Sequence, residues 1–419
     1  MEEWKKYKVA DVIEEISMGP FGSNIKVSNF IDTGVPVLNG SNLQGFKLNE
    51  DSFNYVSDEK ADSLGRANAF RGDIVITHRG TLGQIVYIPD NSRHQRYVIS
   101  QSQFRLKLNP KLARPDFFTY YFHTREGQHK ILMNASQVGV PALARPTSTF
   151  KEVAISLPKI EEQTKIMAIL HSLDDKIAVN KKICENLEAQ AQALFKHWFV
   201  DFTPFKDGKF VESELGLIPD GWRVGKAEDF YTINIGKTPP RAERQWFSES
   251  KGNNKIWISI SDMGSCGTFI SDSKEYLTPE AQSKFNIVMV PAGTILLSFK
   301  LTIGRVAIAD NELTTNEAIA RFILPNSDYR EFTYLYLKQY KYGSLGSTSS
   351  IATAVNSKII KSMPFLMPST EVMAEFSTVV SKLFDVIRIL NNESSRLASL
   401  RDTLLPKLMS GQIKLSEYE

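Results

Sequence analysis

Residues Gly72–Val86, GDIVITHRGTLGQIV, align without gaps on Gly293–Ala307, GTILLSFKLTIGRVA, matching Gly72 with Gly293, Ile74 with Ile295, Thr81 with Thr302 and Gly83 with Gly304. Upstream, VPVLNGSNL (Val35–Leu43) resembles KIWISISDM (Lys255–Met263); downstream, VAISLPKIEEQ (Val153–Gln163) answers MPFLMPSTEVM (Met363–Met373). Three blocks in one order define a tandem repeat, with a period of a little over two hundred residues. A chain written twice must fold into two versions of one plan.

Each copy has two parts. The first, about residues 1–158 and 213–368, mixes short β-branched runs such as IVIT and ILLS with Gly, Asn and Ser turns and a helical stretch, DFFTYYFHTREGQHKILM or EFTYLYLKQYKYG. The expected fold class is mixed α/β (α+β). The second part is a long helix. After Pro158, residues Ile166, Leu170, Leu173, Ile177, Asn180, Cys184, Leu187, Ala191, Leu194 and Trp198 step by 4 and 3, the seam of a coiled coil. After Pro368 the same stepping runs from Phe376 to Leu408 in the same register. Each proline sits where a missing amide hydrogen costs least, and Glu161, Glu162 and Glu371 load the first turns as the helix dipole favours.

The expected boundaries are therefore domain 1–158, helix 159–202, linker 203–212, domain 213–368, helix 369–410 and tail 411–419. A helix of about 40 residues is about 60 Å long. Neither can hide its stripe alone, so antiparallel packing of the two is expected, with an internal pseudo-twofold and a globular domain at each end. Asn180 in the seam has two open readings: a residue that specifies register, or a helix edge wetted by solvent.

Composition removes several classes. With 42% apolar and 23% charged residues the chain is a globular protein, and its 419 residues suit two or three domains. No run approaches a membrane span and the start lacks an apolar leader, so a cytoplasmic location is expected. Cys184 and Cys266 are too few for a disulfide scaffold or a Cys-rich zinc site, and the six histidines show no metal spacing. The net charge of +3 is compatible with nucleic acid without arguing for it. Gly236-Lys237-Thr238 lacks the upstream glycine of a phosphate loop, since that position is Tyr231, and neither a G-x-G-x-x-G nor a G-x-S-x-G pattern is present. No catalytic residue and no metal site are expected.

Two diverged domains on a rigid spacer suit a bipartite, asymmetric DNA site, each domain reading one half in the major groove. At this point the whole chain resembles the specificity subunit of Type I restriction-modification enzymes. The features that carry the resemblance are the duplicated plan, the helix entries PKIEEQTKI and PSTEVMAEF, the central LFKHWFVDFTPF (Leu194–Phe205), GLIPDGW (Gly216–Trp222) and the terminal LRDTLLPKLMSGQIKL. The resemblance implies two target-recognition domains, docking of two methyltransferase subunits that carry S-adenosylmethionine and modify adenine, and motor-nuclease subunits that use ATP and Mg. It implies no cofactor on this chain. A coiled-coil scaffold whose globular ends bind proteins is the alternative.

Turn-rich loops supply the candidate DNA contacts. In the first domain these are Ser23 and Asn24 in MGPFGSN, Asn42 in NGSN, His78, Arg79 and Thr81 in THRGT, Gln101 and Gln103 in SQSQ, and Gln137 and Arg145 in ASQVGVPALAR. In the second they are Lys237, Thr238, Arg241 and Arg244 in GKTPPRAER, Lys300 and Thr302 in SFKLT, Asn316 in TTNEA, and Ser349 and Ser350 in GSTSSIATA. Arg79 and Lys300 share a repeat position, as phosphate contacts would; unpaired Gln101, Gln103 and Asn316 suit base contacts. In LFKHWFVDFTPF, Phe195, Trp198, Phe199 and Phe202 lie on one helical face, and are expected to wedge the helix end against the second domain or a methyltransferase subunit.

Overall fold

The computed structural model describes residues 4–136, 140–344, 355–413 and 415. They form two compact units, Met1–Lys176 with Arg396–Glu419, and Ile177–Ser395. The two long helices, Ile160–Phe199 and Thr370–Met409, are 40 residues each, and both contribute residues to each unit.

The first unit is built on two sheets. One is antiparallel in the order Ile13–Met18, Gln103–Leu108, Ile74–Thr77, Ile85–Tyr87. The other runs Asn54–Val56, Val35–Val37, Arg96–Val98, Asn68–Phe70, with its central pair parallel. The run IVIT is buried at every position because side chains alternate between faces and both faces are covered: Ile74 and Ile76 enter one core, Val75 another. Helix Pro115–His123 contributes Phe117, Phe118 and Phe122 to the first of these cores. Lys5–Lys8 pairs with Ala154–Leu157, so the chain returns to its starting edge just before Pro158 and the long helix.

The second unit repeats the central strands of this plan and differs at the sheet edges. Thr232–Ile235, Ile319–Ile323, Ile295–Ser298 and Val306–Ala309 form the antiparallel sheet, with Phe269–Ile270 added in parallel at its edge. Lys255–Ile258 and Thr314–Thr315 supply the parallel pair of the other sheet, and Arg223–Lys226 pairs with Pro364–Met367. A hairpin, Phe210–Ser213 with Gly216–Pro219, straddles the boundary expected at 212/213.

The helices pack antiparallel. In the second unit Asn180 Nδ2 donates to Glu393 Oε2 at 2.7 Å and Ser394 Oγ at 3.3 Å, and the Cys184 thiol faces Asn391 Oδ1 at 3.5 Å. Asn180 is fully buried, which removes the solvent-wetted reading and leaves a polar pair that penalises other registers. In the first unit Ile166, Met167 and Leu170 share a core with Leu405, Leu408 and Met409, and Arg401 Nη1 donates to Asp174 Oδ1 at 2.7 Å. The same guanidinium lies 5.0 Å from the Phe46 ring, and Asp174 also accepts from the Tyr120 hydroxyl.

The seam departs from strict heptads near its end. Phe195 and Phe199 are buried where Leu194 and Trp198 were expected to be. A straight helix drifts by about 20° per heptad from a 3.5 repeat, so over more than four heptads the inward face moves to the next residue.

Arg401→Ala leaves Asp174 partly buried beside Tyr120 without its cation. We expect this to lower unfolding stability by about 1–3 kcal/mol, with part of the loss recovered in the Arg401→Ala/Asp174→Ala double variant, read by urea denaturation of the full chain.

Candidate nucleic-acid interface

Both domains project loops from the same strand ends, and glycine fixes where those loops begin. The Gly19 N–H donates to Gln103 O at 2.8 Å, and a Cβ there would lie 1.9 Å from the Ser100 carbonyl oxygen. Gly236 repeats this against Ile319 O at 3.3 Å, with a Cβ position 2.1 Å from Thr315 O. Gly83 and Gly304 close the loops after strands 74–77 and 295–298 with φ of 83° and 88°, a region open to glycine.

In the first domain Asn24, Arg79, Thr81, Gln101 and Arg145 are exposed. Arg79 sits in a bridge to Ala142, flanked by Gly80 N–H to Pro141 O and Leu143 N–H to His78 O, both 2.9 Å, so the 78–81 loop is braced by residues 141–143. His78 is half-buried with Nε2 3.1 Å from Gln101 O, and desolvation lowers its pKa below the ordinary value. This brings His78, Arg79 and Gln101 together, and the Gln101 side chain lies over Gly22. Two expectations are corrected. Asn42 is 1% exposed, its Nδ2 donating to Asn49 O and Ser52 O and its Oδ1 accepting from Asn39 N–H, so its polar atoms are consumed in holding a turn. Gln103 is equally buried and accepts from Ser100 N–H. Neither can reach a base. Gln137 and the side chain of Ser23 lie outside the described residues.

In the second domain Lys237, Arg241, Arg244, Lys300 and Thr302 are exposed. Lys237 Nζ donates to Phe285 O and Asn286 O, both at 3.3 Å, and half-buried Thr238 bonds the Glu317 carboxylate. The Arg241 guanidinium lies 4.4 Å from the Phe247 ring and 4.6 Å from the Trp257 ring and pairs with Glu275. Asn316 is half-buried and its Oδ1 accepts from Ala318 N–H, which makes it a turn former as much as a contact. Ser349 and Ser350 lie outside the described residues.

Behind these loops stands a residue that loop composition does not reveal. Arg321, 3% exposed, donates to Val288 O at 2.8 Å, Thr314 Oγ1 at 3.3 Å and Ile235 O at 2.9 Å, tying together the bases of three loops. Arg105 holds the same sheet position, opposite Val75 as Arg321 is opposite Leu296, and pairs with Asp73 at 3.2 Å and Glu15 at 2.8 Å. The available signal was an arginine as the third residue of each of two matching strands, QFRLKL and IARFI. Two candidate-loop residues other than glycine take positive φ, Arg145 at 45° and Leu301 at 61°, and the counterpart of Leu301 is Gly80 at 89°. For leucine that region costs roughly 1–2 kcal/mol.

The aromatic stretch is settled by burial. Phe195 and Phe199, 3% and 5% exposed, pack among Phe332 and Phe376 within the second unit, with Phe199 also against Trp222. Of the two expected roles, the wedge against the second domain holds for Phe195 and Phe199, and a partner-facing role for these two is corrected. Trp198 and Phe202 are half-buried and pack against Phe376 and Trp222 of their own unit, tilted in the first pair and edge-on in the second. Trp4 holds the corresponding place in the first unit, donating to Glu162 at 3.3 Å with Gly411 beside it.

Among the described residues no group of three or more His, Cys, Asp or Glu is placed to hold a metal, and no helix is long and apolar enough to cross a membrane.

The description "Type I restriction modification DNA specificity domain" fits residues 1–189 and 219–398. The chain is 28% identical to the Type I restriction enzyme HindI specificity subunit of Haemophilus influenzae, covering 99% of this chain and 100% of that one. It is 26% identical to the MjaIX specificity subunit of Methanocaldococcus jannaschii, over 99% and 95%. The crystal structure of a Type I restriction-modification S subunit from M. genitalium superposes with a TM-score of 0.51 at 16% identity, over 97% and 96% of the two chains, a likeness of fold.

Gly236→Ala forces a Cβ onto a backbone carbonyl that cannot retreat without moving its strand. We expect a loss of about 1–3 kcal/mol; an unchanged melting temperature would show that the loop is not pinned there.

Proposed function

The chain belongs to the Type I restriction-modification DNA specificity family, and on that premise we propose that it is the DNA-reading subunit of such a complex, each domain reading one half of an asymmetric bipartite duplex site. The observation that carries this is the pair of equivalent loops whose exposed Arg79 and Thr81, and Lys300 and Thr302, coincide while their neighbours have diverged. Shared cations suit phosphate, which every sequence presents; diverged neighbours suit bases, which differ between half-sites.

In this reading Arg79 and Lys300 position the duplex. Gln101 and Arg145 in the first domain, and Arg241 and Arg244 in the second, are placed on exposed surface where bases or phosphates can be met. The subunit catalyses nothing itself. Two methyltransferase subunits dock on it and hold S-adenosylmethionine for adenine modification, and motor-nuclease subunits bring ATP and Mg. The length of the helix pair sets the number of base pairs between the halves, and the complex works in the cytoplasm where the genome lies.

The test is to assemble the chain with its methyltransferase subunits and map methylated adenines across the source genome. A bipartite consensus supports the reading; methylation without sequence preference, or no assembly, overturns it. Arg79→Ala is expected to weaken binding to all duplexes alike and reduce the salt dependence by about one counterion, whereas Gln101→Ala relaxes one half-site by about 1–3 kcal/mol. A change of base preference in Arg79→Ala would reverse that sorting. Deleting one heptad from both helices is expected to change the spacer while each half remains readable; an unaltered spacer would remove the helices from that role.

A further inference from the structure

We propose that Leu301 of the second domain is an apolar base contact that meets the C5 methyl of a thymine in the major groove of bound duplex. This rests on the DNA-reading role above. Leu301 is 97% exposed, more than any other large apolar residue described. Single exposed leucines are ordinary on protein surfaces; this one also occupies a backbone position that resists it. Its φ is 61°, and the Thr302 N–H closes onto the Lys300 carbonyl at 2.7 Å across it, a strained γ-turn. The first domain fills the same position with Gly80 at φ 89°, where no strain arises.

The strain is held in place. Ser298 Oγ donates to Thr302 O at 2.6 Å and accepts from Arg305 N–H at 3.0 Å, while the Gly304 N–H returns to Ser298 O at 3.0 Å. The tip thus presents an aliphatic side chain at the apex of a braced loop, in a conformation its counterpart reaches without penalty. Strain that persists where the side chain is almost wholly in solvent is a mark of a working site.

The neighbours select the occupant. Exposed Lys300 can meet a phosphate and exposed Thr302 a base edge, and the one apolar feature on a major-groove edge is the thymine methyl. Gly80 offers nothing comparable, so this contact would exist in one half-site alone, as expected of domains that read different sequences.

The experiment uses the complete complex with its methyltransferase subunits and the site defined by adenine mapping. Leu301→Gly restores the residue type of the first domain, so its melting temperature is expected to equal or exceed the original. On the mapped duplex it should bind about three- to tenfold more weakly, the scale of one or two buried methyl groups. Replacing thymines of the duplex one at a time by deoxyuridine, which lacks the methyl, should cost the original protein the same factor at one position and cost Leu301→Gly nothing there.

Three results overturn the proposal. Leu301→Gly could bind as tightly as the original. It could melt at a lower temperature, which makes the side chain part of the chain's own packing. The original could be indifferent to every thymine replacement. A wild-type complex with no sequence preference at all overturns the DNA-reading role and this contact with it, whereas a sequence-specific wild type with an indifferent Leu301→Gly overturns only the contact.

Discussion

Burial of the two helix stripes is the constraint on which the rest depends. A 40-residue amphipathic helix is unstable in water unless its apolar face is covered, and here each unit covers segments of both helices with its own domain and with each other. The same position in the repeat is solved differently in the two units. Asp174 and Arg401 meet as an ion pair in the first; the residues at the equivalent repeat positions, Phe384 and Ala191, are buried in one apolar core in the second. A polar solution on one side and an apolar one on the other break the symmetry of a duplicated sequence.

The loops show the same division between what is kept and what is free. Gly19 and Gly236 approach a carbonyl too closely for any side chain, and Arg105 and Arg321 sit at one sheet position, so the platform beneath the loops is preserved. Arg105 has carboxylate partners, whereas Arg321 donates only to carbonyls and a hydroxyl among the described residues, and burial lowers its pKa. A guanidinium that bridges three loop bases makes the geometry above it depend on one side chain. The residues at the loop tips have diverged, as Gly80 and Leu301 show.

The exposure of several candidates was legible because it follows from turn composition: Arg79, Lys237, Arg241, Lys300 and Thr302 stand on the surface as their loops implied. Asn42 and Gln103 were misjudged for one reason. An amide in a Gly, Ser and Asn turn reads the same whether it faces solvent or folds back to satisfy backbone donors and carbonyls, and in both residues it folds back. Phe195 and Phe199 were expected beside the seam and wedged against the second domain or a partner; the drift of a straight helix turns them inward, and the second domain is what they meet.

The sequence alone determined the duplication, the two helices and their common register, because periodicity is a local property that repeats reveal without any coordinate. Tertiary structure decided which polar residues are spent inside the chain, that Asn180 is a buried register pair, and that Leu301 stands strained and solvent-exposed where Gly80 is at ease. The physical reason is that burial and backbone strain are set by neighbours distant in sequence, and no pattern of residue types along the chain encodes those neighbours.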